Sequence, residues 1–267
     1  MPGLRSVITL LTDFGTADGY VGEMKGVLCA RAPDAALVDI AHDIAPQDVE
    51  GARLAVARYW RRFPAGAVHV VVIDPGVGTA RAAIAVASAD RFLVGPDNGV
   101  LSPALLLPGA RIVALPVPPG ASATFHGRDV FAPAAARLAA GAELDELGEP
   151  VLEPVIRRTP EARRLDDGAV AGEVIAVDRF GNLVTNLLAP RGGSIAIAGR
   201  VVGSVARTYG EAPPGALVAL VGSTGLVEIA RRDGSAAREL GVGRGAPVVL
   251  RPTPGDAAGE SSGAARA

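Results

Sequence analysis

Val68-His-Val-Val-Val-Ile-Asp-Pro-Gly-Val-Gly-Thr-Ala-Arg81 is the stretch on which the fold turns. Residues 68–73 are largely apolar and β-branched and read as a buried strand, and Asp74 then opens a glycine-containing loop that ends at Arg81. In open α/β sheets a loop leaving the carboxyl end of a strand is where ligands bind, so charges placed there are poor candidates for mere solubility. Phe125-His-Gly-Arg-Asp129 and Asp178-Arg-Phe-Gly-Asn182 share the form. The three segments suggest one site assembled from distant parts of the chain.

Outward from this stretch, short β-branched runs at 7–11, 36–40, 84–87, 92–94 and 111–115 alternate with helical patterns. The alternation predicts an α/β domain over residues 1–160 with a mostly parallel sheet. Residues 47–63 carry Val49, Ala52, Val56, Tyr59, Trp60 and Phe63 at helical spacing, with Pro46 at the first turn. Further helices are predicted over 22–31 and after Asp129, through Phe131, Ala134, Ala135 and Leu138. Residues 149–167 lose all periodicity around Pro150, Pro154 and Pro160 and read as a linker. Beyond it, short apolar runs at 173–177, 183–187, 194–197, 201–205, 217–221, 227–230 and 247–250 are separated by glycine turns. They predict a smaller all-β sandwich or barrel over 161–254. A Gly/Ala/Ser-rich tail, 255–267, is expected to be disordered.

Composition narrows the function classes. The 267 residues are 49% apolar, ample for a buried core. A net charge of -2, with Lys25 the only lysine, leaves no basic field for a phosphate backbone, so nucleic acid is not expected as a partner. Cys29 is the only cysteine, which excludes an intramolecular disulfide and a cysteine metal cluster and fits a reducing cytoplasm. The start of the chain does not read as a signal peptide. No apolar run approaches the roughly 20 residues of a membrane helix. The expectation is a soluble, cytoplasmic protein.

Read singly, the charged residues leave two roles open. Asp13, in Thr12-Asp-Phe-Gly15 after the first strand, is placed either to accept hydrogen bonds from a diol or to cap a turn. Asp74 and Arg81 form either a functional pair or a structural ion pair closing a turn; in either case the arginine is expected to keep the carboxyl below its ordinary pKa. His126, before a helix start, has Arg128 and Asp129 for company, whereas His42 and His69 lack such neighbours in sequence. Asp97-Asn-Gly99 and Asp178-Arg-Phe-Gly-Asn182 each pass for turns. No His-x-x-x-His or Glu-x-x-His pairing favours a metal.

Taken in order, Leu11-Thr-Asp-Phe-Gly15, Asp74-Pro-Gly-Val-Gly78, Gly95-Pro-Asp-Asn-Gly99, Thr124-Phe-His-Gly-Arg-Asp129, Asp178-Arg-Phe-Gly-Asn182 and residues 223–230 resemble the S-adenosylmethionine hydroxide adenosyltransferase family. These S-adenosyl-L-methionine hydrolases are relatives of the fluorinase and chlorinase. The resemblance implies an amino-terminal α/β domain, a carboxyl-terminal β domain and a homotrimer with active sites between subunits. It further implies hydrolysis of S-adenosyl-L-methionine to adenosine and L-methionine, with Asp74, Arg81 and His126 as the catalytic triad that distinguishes hydrolases from halogenases. Asp13 is then expected at the ribose hydroxyls, Asp178 and Ser223 at the methionine portion, and Phe180 and Asn182 beside the adenine. Ile229 to Asp233, through their backbone, and Glu228 complete the expected contacts. Gln47 stands where the fluorinase has a tryptophan, and Gly222 replaces an asparagine common before the serine.

Under that resemblance water attacks C5′ and neutral methionine leaves from the sulfonium, with no metal or organic cofactor. Arg81 cannot serve as the base because it does not deprotonate. His126, or a network shared with it, is expected to take the proton while Asp74 and Arg81 orient the water. A halogenase of the same family and a non-catalytic S-adenosylmethionine or adenosine sensor are the alternatives.

Overall fold

Strands in the first half follow the β-branched runs. β1 (Val7–Thr12), β2 (Ala36–Ala41), β3 (Val68–Val72), β4 (Ala83–Ser88), β5 (Arg91–Pro96), β6 (Arg111–Leu115) and the short β7 (Glu149–Pro150) make one sheet in the order β2-β1-β3-β5-β4-β6-β7. The computed structural model describes residues 6–188 and 193–251; the tail at 255–267 lies outside the described residues. The chain divides into two units, Met1–Arg158 and Thr159–Ala267. Within the first unit β2, β1, β3 and β5 run parallel, whereas β4, β6 and β7 pair antiparallel. The sheet is therefore mixed, and the cause is local. β4 and β5 are joined by Ala89 and Asp90 alone, both at positive φ (45° and 59°), and a two-residue turn of this kind returns the chain antiparallel.

Side chains from the central strands alternate between two cores. Ile8, Leu10, Val70 and Val72 face α1 (Tyr20–Arg31), while Leu11, Val71 and Ile73 face α2 (Val49–Tyr59) and α3 (Ser102–Leu105). α4 (Ala132–Ala139) joins α1 on the first face through Ala135 and Leu138, with Phe131 just before it. Burial on both faces is why 68–73 reads as a nearly continuous apolar run rather than an alternating one. α2 begins later than its periodicity predicts, because Asp48 caps it by accepting the Gly51 N–H (3.0 Å). Pro46 thus lies before the cap, and Gln47 sits outside the helix in the left-handed region (φ 67°). A single π-helical turn, Gly127–Phe131, leads into α4.

The second unit contains β8 (Arg163–Arg164), β9 (Val170–Val177), β10 (Leu183–Leu188), β11 (Ser194–Ile197), β12 (Arg200–Ala206), β13 (Leu217–Val221), β14 (Leu226–Arg231) and β15 (Pro247–Arg251). Their order is β10-β14-β13-β12-β11-β15-β9-β8, and β9 also pairs with β10, closing a seven-stranded barrel with β8 on its flank. Closure satisfies the backbone groups that open sheet edges would expose. Val174, Leu183, Leu187, Ile195, Val227, Ile229 and Val248 fill the interior. α5 (Ala236–Leu240), capped by Ser235, is too short to leave a period in the sequence. Residues 149–167 are not a bare linker: β7 pairs with β6 and β8 with β9.

Candidate active site

Asp74 stands two residues beyond β3, and Arg81 stands two residues before β4. Thr79 Oγ1 ties the connection between them by donating to the Gly76 carbonyl (2.7 Å). At Gly78, φ is 75° and a Cβ would fall 2.3 Å from the Ala123 carbonyl oxygen. Glycine there lets this loop press against the segment that leads to His126.

That approach brings the three predicted residues together. Arg81 Nε donates to Asp74 Oδ1 (3.0 Å) and Nη2 donates to Asp74 Oδ2, a two-pronged pair. Nη2 also lies 3.2 Å from His126 Nδ1. A guanidinium can only donate, so Nδ1 accepts and the neutral ring carries its proton on Nε2. The Phe131 ring centroid lies 5.5 Å from the guanidinium carbon. Arg81 Nη1 is buried and hydrogen-bonded to no protein group among the described residues.

Burial pushes the Asp74 carboxyl above its ordinary pKa, and the opposing pull of Arg81 does not overcome it. The expectation of a lowered value is thereby corrected: desolvation outweighs the ion pair. Burial, followed by the charge of Arg81, pushes the His126 imidazole below its ordinary value, against the opposite influence of Asp74 and Asp129. The other charges of the His126 segment are structural. Arg128 pairs with Asp129 (2.7 Å) and Glu23 (2.8 Å), and Asp129 accepts the Ser122 N–H (2.8 Å).

The Asp13 loop adjoins the His126 loop through Phe14, whose ring meets that of Phe125 edge-on at 5.9 Å. Asp13 Oδ2 accepts the backbone N–H of Gln47 (2.7 Å), a use for the left-handed turn at that residue. Beneath this loop runs a chain of contacts that sequence reading missed. Lys25 Nζ donates to Asp39 (2.6 Å), Asp39 meets His42 Nε2 (2.9 Å), and His42 Nδ1 meets Thr12 Oγ1 (2.9 Å). The signal available was Asp39-x-x-His42 at the end of a strand, but its partners come from α1 and β1 and are not neighbours in sequence.

The predicted residues of the barrel are arranged differently. Asp178 Oδ1 accepts the N–H groups of Phe180 (2.9 Å) and Asn182 (2.8 Å), and its Oδ2 accepts Asn182 Nδ2 (2.9 Å), so this carboxylate organises its own turn. Phe180 is 75% exposed at the tip of that turn. Ser223 is exposed between β13 and β14. Glu228 is buried and accepts from the Tyr209 hydroxyl (3.3 Å); its carboxylate occupies the space over Gly222, where a Cβ would lie 1.9 Å from Oε1. Ile229 points into the barrel core, and its strand is paired with β10 on one side and β13 on the other. Asp233, left-handed at φ 60°, rims an open depression with Arg231, Ser235 and Arg238. Among the described residues no three His, Cys, Asp or Glu side chains converge as a metal would require, and no helix is long and apolar enough to cross a membrane.

Fold and site define a mixed α/β sheet joined to a closed barrel, with a charged constellation on strand-end loops. The chain belongs to the SAM hydroxide adenosyltransferase family: residues 8–148 match its N-terminal domain and residues 172–249 its C-terminal domain. It is 46% identical over 256 residues to a Thermus thermophilus protein named (R)-S-adenosyl-L-methionine hydrolase, a match covering 91% of this chain and 98% of that one. A Salinispora arenicola protein of the same name is 45% identical over 262 residues, covering 93% and 95%. Among solved structures, an uncharacterized conserved protein from Thermotoga maritima superposes with a TM-score of 0.83 at 32% identity, covering 91% of this chain and 99% of that chain.

Proposed function

We propose that this chain hydrolyses S-adenosyl-L-methionine to adenosine and L-methionine, and that its preferred substrate is the (R) sulfonium epimer for which its relatives are named. The observation that carries the reading is the buried Nη1 of Arg81, with no protein partner among the described residues, beside an Asp74 carboxylate and the neutral imidazole of His126. Two N–H groups in a desolvated site call for an oxygen ligand, and a water molecule satisfies them.

In this scheme Arg81 and His126 hold the water in place, and Asp74 accepts one of its protons. The water oxygen attacks C5′, the C5′–S bond breaks, and its electron pair returns to sulfur, so methionine leaves as a neutral thioether. Asp74 suits the acceptor role because burial raises its proton affinity and a carboxylate has lone pairs beyond the two used by Arg81. His126 suits it less well, since protonating Nδ1 would set a cation against Arg81. The role given to His126 from the sequence therefore passes to Asp74, with the histidine orienting the nucleophile. Positioning and proton acceptance together supply most of what the step needs, because the sulfonium is already a good leaving group.

The same reading assigns Asp13 to the ribose hydroxyls, Ser223 and Asp178 to the methionine portion, and Phe180, Asn182 and the backbone of residues 229–233 to the adenine. It takes the enzyme as a homotrimer, checked by sedimentation equilibrium, and it calls on no metal or organic cofactor. The test is incubation with each sulfonium epimer in ¹⁸O-labelled water containing a chelator, with products separated and weighed by mass spectrometry. Adenosine labelled at its 5′ oxygen with equimolar methionine, formed faster from the (R) epimer, is expected. Intact substrate from both epimers would overturn the reading.

A further inference from the structure

Gly95-Pro-Asp-Asn-Gly99 has no part in the scheme above, yet it lies beneath the loop that carries Asp74 and Arg81. The reason is topological. β5 sits between β3 and β4, so the connection from β3 to β4 must cross the carboxyl end of β5. The dipeptide leaving β5 meets that connection at both ends. Asn98 Nδ2 donates to the carbonyl of Ile73 (2.8 Å), the residue before Asp74. The backbone N–H of Asp97 donates to the carbonyl of Ala82 (2.9 Å), the residue after Arg81.

The dipeptide is itself secured from the far side. Asp97 Oδ1 accepts the Val155 N–H (2.9 Å), and the Asn98 carbonyl accepts from Arg157 Nε (2.9 Å). A Cβ at Gly99, where φ is 91°, would fall 2.4 Å from Arg157 Cγ, so the arginine stem lies directly on the turn. Asn98 Oδ1 accepts the Val100 N–H (3.1 Å), which fixes the amide with its nitrogen toward Ile73. An asparagine amide supplies the acceptor and the donor at once. Aspartate has nearly the same shape but would set a carboxylate oxygen against the Ile73 carbonyl.

We infer that Asn98 is a positioning residue for the Asp74–Arg81 pair: by holding the Ile73 carbonyl it sets the loop at the height at which Arg81 reaches both Asp74 and His126. The catalytic consequence rests on the proposed hydrolysis, while the structural consequence does not. A displacement of about 1 Å at a reacting group costs up to about 100-fold in rate.

The experiment uses the full chain carrying Asn98→Asp or, in parallel, Asn98→Ala, which removes the donor without adding charge. Two quantities are read: kcat and KM with S-adenosyl-L-methionine, and the ring ¹⁵N resonances of the three histidines. A fall in kcat of about 10- to 100-fold with KM nearly constant is expected, with displaced His126 resonances and those of His42 and His69 in place. Unchanged kcat, unmoved His126 resonances, or equal displacement of all three histidines would overturn the inference. Should one variant fail to fold, the other is read by the same criteria. If the native enzyme leaves S-adenosyl-L-methionine intact, the proposed function falls alone, and the His126 resonances still decide whether Asn98 sets the loop.

Discussion

The two units carry their candidate residues in opposite ways. In the first, Asp74 and Arg81 from the β3–β4 connection meet His126 from the segment before α4, through Arg81, in a largely water-free setting, with the Asp74 and Arg81 side chains 3% and 8% exposed. In the barrel, Asp178, Phe180 and Ser223 sit on hairpin tips, and the polar contacts of Asp178 stay within its own turn. Groups that must align with each other are therefore built on strand ends and buried, where low dielectric strengthens their coupling. Phe180 and Ser223, proposed to recognise a ligand, are displayed where their neighbours constrain them least. The first arrangement is costly to disturb and the second is not.

Arg81→Ala should disturb it most. It leaves the Asp74 carboxylate buried without its counter-charge, and breaking such a pair costs about 3–5 kcal/mol, measurable by urea unfolding; turnover should fall with it. A loss below about 1 kcal/mol would show that the pair behaves like a surface ion pair and would remove the contrast between the units.

A smaller effect comes from His69, buried in β3 with its Nδ1 at 2.8 Å from Thr9 Oγ1 and the rings of Tyr59, Trp60 and Phe63 edge-on around it. Burial, then the charge of Arg91, pushes its pKa down from 6.5 to about 4. The unfolded chain therefore takes up a proton near pH 6.5 and the native chain only near pH 4. Stability is complete above that window, falls as pH drops through it, and loses nothing more from this group below. The loss is on the order of 3 kcal/mol. All three histidines lie in the first unit, so this contribution to acid unfolding belongs there. Urea midpoints at pH 7 and pH 4.5 should converge in His69→Gln; an unaltered pH dependence in that variant would exclude His69 as the source.

The smallest change is expected in the barrel. Ser223→Ala should raise KM for S-adenosyl-L-methionine about tenfold, the worth of one hydrogen bond to a charged group, with kcat kept and stability within about 0.5 kcal/mol. An unaltered KM would take Ser223 out of the binding site and leave the barrel's part to other residues.

Much of this was legible in the chain. The runs at 68–73 and 183–187 marked strands because β-branched residues bounded by glycine have few other ways to be buried. That Asp74, Arg81 and His126 sit in glycine-containing loops after apolar runs was legible; that they belong together was implied by the family resemblance and not by spacing. The roles of Arg128 and Asp129 were not legible, since nothing local distinguishes a charge that serves the site from one that fastens the loop. His42 was passed over for the same reason: Asp39 lies three residues before it, but Thr12 meets it only when β1 and β2 pair.

Sequence alone determined the longer strand and helix segments and the residue types available at each strand end, because local periodicity, turn chemistry and covalent order are written along the chain. Tertiary structure decided the rest. The order β3-β5-β4 carries the Asp74–Arg81 connection over Asn98, and the close approach at Gly78 brings that loop to His126. Burial then reverses the expected direction of the Asp74 pKa. Distances between remote residues and the desolvation of a charge are properties of packing, and packing exists only once the strands have paired.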